Sequence, residues 1–285
     1  MRVAIVGARG QLGTALQTCL QAEVLPLGHA EIEITDAESV NGALSSASPD
    51  CVINAAAYNF VDRAEDEPAV AYEVNAVGPR HLAHWCDKAG ATLVHISSDY
   101  VFGFGPDRTV PYTEVDIPGP TSAYAVSKLA GEYFVQSALR EHFIVRTCGL
   151  YGAAASEGKG NFVKTILRLA TQRKELTIVN DQRCTPSYAV DVAQAIAGLI
   201  STKAFGLYHV TNAGSASWYE FASEIVRLAK LGVHVRPITS AEYPQKARRP
   251  AYSVLDCSKL IATTGKRLPS WEDGLARYLQ QITTS

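Results

Sequence analysis

Short apolar runs rich in β-branched residues punctuate the first half of the chain: RVAIVG (2–7), EVLPLG (23–28), DCVINAAA (50–57), ATLVHISS (91–98) and HFIVRTC (142–148). Several are continuously apolar rather than alternating, the pattern of strands covered on both faces. Longer stretches with helical spacing separate them, among them GQLGTALQTCLQA, EPAVAYEVNAVGPRHLAHWCDKAG and SAYAVSKLAGEYF. This alternation predicts an α/β fold built on a doubly wound, parallel, Rossmann-type sheet, with residues 1–150 as the sheet domain.

Beyond residue 150 the pattern loosens. YGAAASEGKGNFVKTILRLATQR reads as a loop entering a helix, LTIVND (176–181) and GLYHVTN (206–212) as short strands, and WYEFASEIVRLAKL (218–231) as an amphipathic helix. No repeat or low-complexity linker divides the halves. Residues 151–285 are therefore expected to form mainly a smaller C-terminal lobe, with segments near 186–212 returning to the sheet domain.

Composition narrows the class. Of 285 residues, 47% are hydrophobic and 19% charged, which suits a globular chain with a sizeable core. A net charge of −2 offers no footing for nucleic acid or an anionic membrane. No run approaches the ~18 apolar residues of a membrane span, and the chain enters its first strand at once, so a cytoplasmic location is the default expectation. The cysteines at 19, 51, 86, 148, 184 and 257 include no C-x-x-C pair and no histidine spaced to complete a zinc site. They read as reduced and structural, and no metal is expected.

Two stretches carry chemistry. GARGQLG places Gly7, Gly10 and Gly13 between a strand and a helix start. Glycine there permits a sharp turn, lets a pyrophosphate approach, and leaves the helix N-terminus open to an anion. The spacing is GxxGxxG, and a tight turn without ligand is the plainer alternative. An acidic residue usually ends the second strand when it takes an adenosine ribose hydroxyl. Here PLGHAE has Gly28 and His29 in that place. Arg9 suits a 2′-phosphate, or is a solvated loop cation, so NADP(H) is favoured over NAD(H). Asp36 caps the next helix or lies near the adenine. The second stretch is SAYAVSK, in which Tyr124 and Lys128 share a helical face. Taken alone, such a pair is usually an ordinary surface pair.

GARGQLG, NAAA (54–57), SSDYVF (97–102) and YAVSK (124–128) in this order resemble the extended short-chain dehydrogenase/reductase family. Within it, NFVDRAEDEP, SKLAGE, GNFVKTILRLA, DQRCTPSYAVDVA, GLYHVTNAGSASWYEFA and RRPAYSVLDCSKL resemble the dTDP-4-dehydrorhamnose reductase subgroup over nearly the whole chain. The resemblance implies NADPH-dependent reduction of a nucleotide-linked 4-keto-6-deoxysugar by a monomer or homodimer. Tyr124 would then protonate the ketone oxygen, and Lys128 would lower the phenol's pKa and bind the nicotinamide ribose. Ser98 would hydrogen-bond the substrate oxygen and Asp99 contact the sugar. Gly10, Gln11 and Leu12 would line the pyrophosphate, with Ala57, Tyr58 and Asn59 along the cofactor. Ser98 ending a strand and Asp99 capping a turn are the bland alternatives.

Departures from the subgroup bear on the substrate. RTCGLYG puts Gly149 where a sugar-contacting tryptophan is common, and Gly103 replaces a frequent aspartate. Ser122 stands for a usual asparagine. The basic cluster Lys246, Arg248 and Arg249 meets a nucleotide diphosphate, with Arg249 the candidate substrate ligand, or is a solvated loop. Trp218, His95 and His209 read as core residues, and Glu65, Asp66 and Glu67 as a solvated helix start. The resemblance also admits an NAD(P)-dependent nucleotide-sugar epimerase, or a cofactor-binding regulatory subunit like the methionine adenosyltransferase β subunit.

Overall fold

A computed structural model describes residues 1–105, 107–154 and 160–284. The first half runs β1 (Arg2–Val6), α1 (Gln11–Cys19), β2 (Glu23–Leu27), α2 (Ala37–Ala47), β3 (Cys51–Asn54), α3 (Pro68–Tyr72), α4 (Gly78–Ala89), β4 (Thr92–Ser98), α5 (Ala123–Ala138) and β5 (His142–Thr147). Next come β6 (Leu150–Tyr151), α6 (Phe162–Ala170), β7 (Glu175–Val179), β8 (Arg183–Cys184), β9 (Ser187–Tyr188) and α7 (Ala189–Ile200). The chain ends in β10 (Gly206–His209), β11 (Ala216–Ser217), α8 (Trp218–Leu228), β12 (His234–Ile238), α9 (Ser258–Thr264) and α10 (Trp271–Thr284).

The central sheet is six-stranded and parallel throughout, in the order β10-β5-β4-β3-β1-β2. Its apolar runs are buried on both faces for the expected reason: alternate residues serve opposite layers. Val3 and Ile5 face a layer with Leu12 and Leu16 of α1 and Val192 and Ile196 of α7. Ala4 and Val6 face the other, with Leu44 of α2, Leu82 and Cys86 of α4, and Val135 of α5. Strand β2 is the edge, which is why its Pro26 is tolerated.

Strand order reverses at β1, whose neighbours are β2 on one side and β3 on the other. A crevice at the carboxyl ends of β1 and β3 is the usual ligand site of such sheets. Gly7 turns there at φ +78, and a Cβ on it would lie 2.6 Å from the Ala56 nitrogen. Only glycine lets the two loops come so close.

A second core holds Tyr151, Val163, Ile166, Phe221, Ile225, Leu275 and Tyr278. Trp218 packs at its rim, with its ring centroid 4.8 Å from that of Phe162, as a core residue should. The two-stranded pairs β7–β12, β8–β11 and β6–β9 frame this part. The loop expected ahead of α6 includes residues 155–159, which lie outside the described residues.

Candidate active site

Helix α1 begins at Gly10, an N-cap with no side chain to satisfy the first-turn amides. The positive end of the helix dipole makes this N-terminus an anion seat. Gly13 packs beneath the Gly7 carbonyl, so a glycine cradle of the right form for a pyrophosphate is present. The Gln11 side-chain oxygen accepts from the Gly152 amide at 2.7 Å and from Asn161 at 3.0 Å, fastening the loop to the segment after β6. The Leu12 side chain is buried in the core, so it would serve a pyrophosphate through its backbone amide only.

Arg9 lies over Gly28 at the end of β2. The absence of a carboxylate there, expected from PLGHAE, needs correction. Glu31 turns back to accept from the Gly28 amide at 2.7 Å and pairs with Arg9 at 3.4 Å. A 2′-phosphate at Arg9 would compete with that exposed pair, which is weak enough to exchange. Asp36 caps α2, accepting from the Glu38 amide at 2.9 Å.

Ala57, Tyr58 and Asn59 follow β3 in the chain. Asn75 fixes this segment: its oxygen accepts from the Tyr58 amide at 2.8 Å, and its Nδ2 donates to the Tyr58 carbonyl and the Ser127 hydroxyl, both at 3.0 Å. Sequence reasoning missed Asn75. It lies in a π-helical turn, Glu73–Val77, between α3 and α4, and such turns often mark functional positions. The signal was an amide in an apolar helical stretch just before Gly78-Pro79.

Ser122 caps α5 by accepting from the Ala125 amide at 3.2 Å, and this fixes the helix carrying Tyr124 and Lys128. The Tyr124 phenol makes a long 3.5 Å contact with the Asn59 side chain, and the Tyr100 ring meets its own edge-on at 5.8 Å. Burial raises the phenol's pKa; the nearby Ser98 hydroxyl lowers it, and the charges of Asp99 and Cys148 raise it. Lys128 lies one turn further along the same helix. Its ammonium donates to the Ile96 carbonyl of β4 at 2.7 Å, and burial brings its pKa from 10.5 to about 8, with Glu132 opposing the fall.

Asp99 is 2% exposed. It accepts from the Ser98 hydroxyl at 3.1 Å, the Cys148 thiol at 3.0 Å and the Ser253 hydroxyl at 2.6 Å. The carboxylate expected to meet a sugar is thus turned inward, tying β4, the end of β5 and the 253 region together. Burial raises its pKa against those three donors. Behind α5, Glu132 and Arg146 form a buried two-pronged ion pair at 2.9 and 2.6 Å, with Ser97 also bonded to Glu132.

The basic cluster lines a cleft of about 410 Å³ with Gly103, Asp181, Gln182 and Ser240. It is not a merely solvated loop. Arg249 forks Asp62 at 3.0 and 2.8 Å, and Lys246 holds Asp66 at 2.6 Å. The acidic run is likewise more than a solvated helix start. Glu65 accepts from the Ala123 amide at the start of α5, and Glu67 bonds Arg63 and the Tyr58 hydroxyl. Both glycine departures have local reasons. A Cβ on Gly103 would lie 2.7 Å from the Thr121 hydroxyl, and Gly149 sits at φ +52 against Pro186. His95 and His209 are buried, with their Nδ1 atoms bonded to Asn54 and the Tyr112 carbonyl. All six cysteines are free thiols. Among the described residues no helix is long and apolar enough to cross a membrane.

Comparison with known proteins gives this geometry its context. The spore coat polysaccharide biosynthesis protein SpsK of Bacillus subtilis is 40% identical, covering 100% of this chain and 99% of its own. The dTDP-4-dehydrorhamnose reductase of Sinorhizobium fredii is 38% identical over 98% and 97% of the two chains. The crystal structure of dTDP-4-dehydrorhamnose reductase from Bacillus anthracis in complex with NADP superposes with a TM-score of 0.93, at 41% identity, over 98% of this chain and 99% of that one. The family model of the RmlD substrate binding domain matches residues 1–284, and the chain belongs to that family, within the extended short-chain dehydrogenase/reductases.

Proposed function

We propose that the protein is an NADPH-dependent reductase of a nucleotide-linked 4-keto-6-deoxysugar, with dTDP-4-dehydrorhamnose reduced to dTDP-rhamnose as the leading reaction. One observation carries the reading. The Tyr124 phenol lies close enough to Ser98, at the carboxyl end of β4, for that hydroxyl to lower its pKa, while Lys128, one turn along α5, is anchored to the same strand by a 2.7 Å bond to the Ile96 carbonyl. The full-length similarity to dTDP-4-dehydrorhamnose reductases, one of them crystallised with NADP, supports both substrate class and cofactor.

In this reading residues 1–150, with return segments near 186–212, hold the cofactor, and the lobe formed mainly by 151–285 holds the nucleotide sugar. The nicotinamide supplies the hydride. Ketone reduction builds negative charge on oxygen, so the chain must donate there. Tyr124 gives its proton to that oxygen, and Ser98 hydrogen-bonds it. Lys128 spends one ammonium hydrogen on Ile96 and keeps the others for the ribose beside the phenol. Gly7, Gly10 and Gly13 with the first amides of α1 seat the pyrophosphate, and Arg9 takes a 2′-phosphate in exchange for Glu31.

The test is an assay with NADPH and dTDP-4-keto-6-deoxy sugar, followed at the nicotinamide absorbance band. Steady oxidation of NADPH that depends on the sugar is the expected result. Its absence from folded, cofactor-binding protein would overturn the substrate assignment.

A further inference from the structure

The acidic segment after β3 is clasped to the basic loop 246–249, which lines the cleft. Asp62 accepts from the Ala247 amide at 3.1 Å as well as from both arms of Arg249, and Arg249 also donates to the Ala247 carbonyl at 3.2 Å. The arginine side chain is 18% exposed and Asp62 46%, so the pair is shielded enough to fix a geometry. The Asp66–Lys246 pair, 56% and 63% exposed, is far more open to solvent.

We propose that Asp62 is a positioning residue for the substrate's diphosphate. Its carboxylate holds the Arg249 fork and the loop backbone, so that the cation stands preorganised at the cleft wall. A guanidinium has five N–H donors, and the bonds to Asp62 and Ala247 do not exhaust them. Arg248, on the same wall, has no hydrogen bond or ion pair from its side chain among the described residues, and it supplies a second cation. Holding Arg249 in place spares the entropy of ordering a long side chain when a diphosphate arrives. The same segment carries Asn59, which touches the Tyr124 phenol, so the clasp registers the substrate's diphosphate end against its reacting end.

This inference rests on Arg249 being a substrate ligand, and the experiment separates the two. Thymidine diphosphate binding to the NADPH-loaded protein is measured by calorimetry alongside steady-state kinetics for Asp62→Asn, Asp62→Glu and Arg249→Gln. Asp62→Asn is expected to raise KM and the thymidine diphosphate Kd about tenfold, with kcat and NADPH affinity within about twofold, and Asp62→Glu to recover part of the loss. If Arg249→Gln leaves KM unchanged, the assignment of Arg249 falls and the inference with it. If Arg249→Gln raises KM but Asp62→Asn does not, or if Asp62→Asn lowers kcat and NADPH affinity in step with thermal stability, the positioning role alone is overturned.

Discussion

The Lys128 ammonium donates to the Ile96 carbonyl oxygen at 2.7 Å, fixing α5 to the strand that ends in Ser98. Burial brings its pKa to about 8, so the charge needed beside a cofactor ribose is lost in mildly alkaline solution. NADPH affinity should fall as pH rises through that value, as calorimetric titrations from pH 7 to 9 would register. The unfolded chain keeps this proton to 10.5 whereas the folded one sheds it near 8. Across that window the unfolded state binds more protons, and the contribution of Lys128 to stability rises with pH. Below it, burying the charge costs on the order of 3 kcal/mol, so Lys128→Met should melt higher than wild type at pH 7 while binding NADPH poorly.

Asp99 raises the pKa of the Tyr124 phenol by its charge, and Ser98 lowers it by its hydrogen bond. Asp99→Asn removes the first influence, so the phenol should deprotonate at lower pH. Reduction needs the protonated phenol, and the alkaline limb of kcat should therefore move down in pH. Ser98→Ala removes a donor from the developing oxyanion and should cost about a hundredfold in kcat with NADPH affinity retained. Full pH–rate profiles of both variants measure these effects.

Gly149 occupies the left-handed region at φ +52, and a Cβ there would lie 3.1 Å from the Pro186 Cα. Gly149→Ala should destabilise the fold by about 1–2 kcal/mol, seen as a drop of a few degrees in Tm. Gly149→Trp should be worse still. The missing indole is thus a property of the local backbone as well as of the side chain.

Glu132 and Arg146 are a buried pair, and Arg146 Nη1 already lacks a partner among the described residues. Glu132→Ala would strand the guanidinium and should cost about 3–5 kcal/mol in denaturant unfolding. Replacing both residues with apolar groups of similar volume should recover much of that loss, because no uncompensated charge then remains buried.

The sheet was legible because continuous apolar runs such as RVAIV and CVIN are what two-sided burial demands, and the Gly7 turn because only glycine permits the approach to Ala56. Strand β12 was not foreseen, since HVRPI is mostly exposed and owes its form to pairing with β7. The π-turn around Asn75 hid within one long helical pattern, because a π-turn preserves helical hydrophobicity while shifting its phase. The inward turn of Asp99 depends on Cys148 and Ser253, and the clasp of Asp62 on Arg249. These partners are far apart in sequence, and local patterns do not reveal such tertiary contacts.

The central claim is that Tyr124 delivers the proton to the sugar ketone. A single-turnover experiment with Tyr124→Phe, loaded with NADPH and mixed with dTDP-4-keto-6-deoxy sugar, tests it most directly. Phenylalanine preserves the ring against Tyr100 and removes only the hydroxyl. The expected result is intact NADPH binding with nicotinamide oxidation slowed by at least about a hundredfold. Oxidation at the wild-type rate would contradict the assignment of Tyr124 and the mechanism built on it.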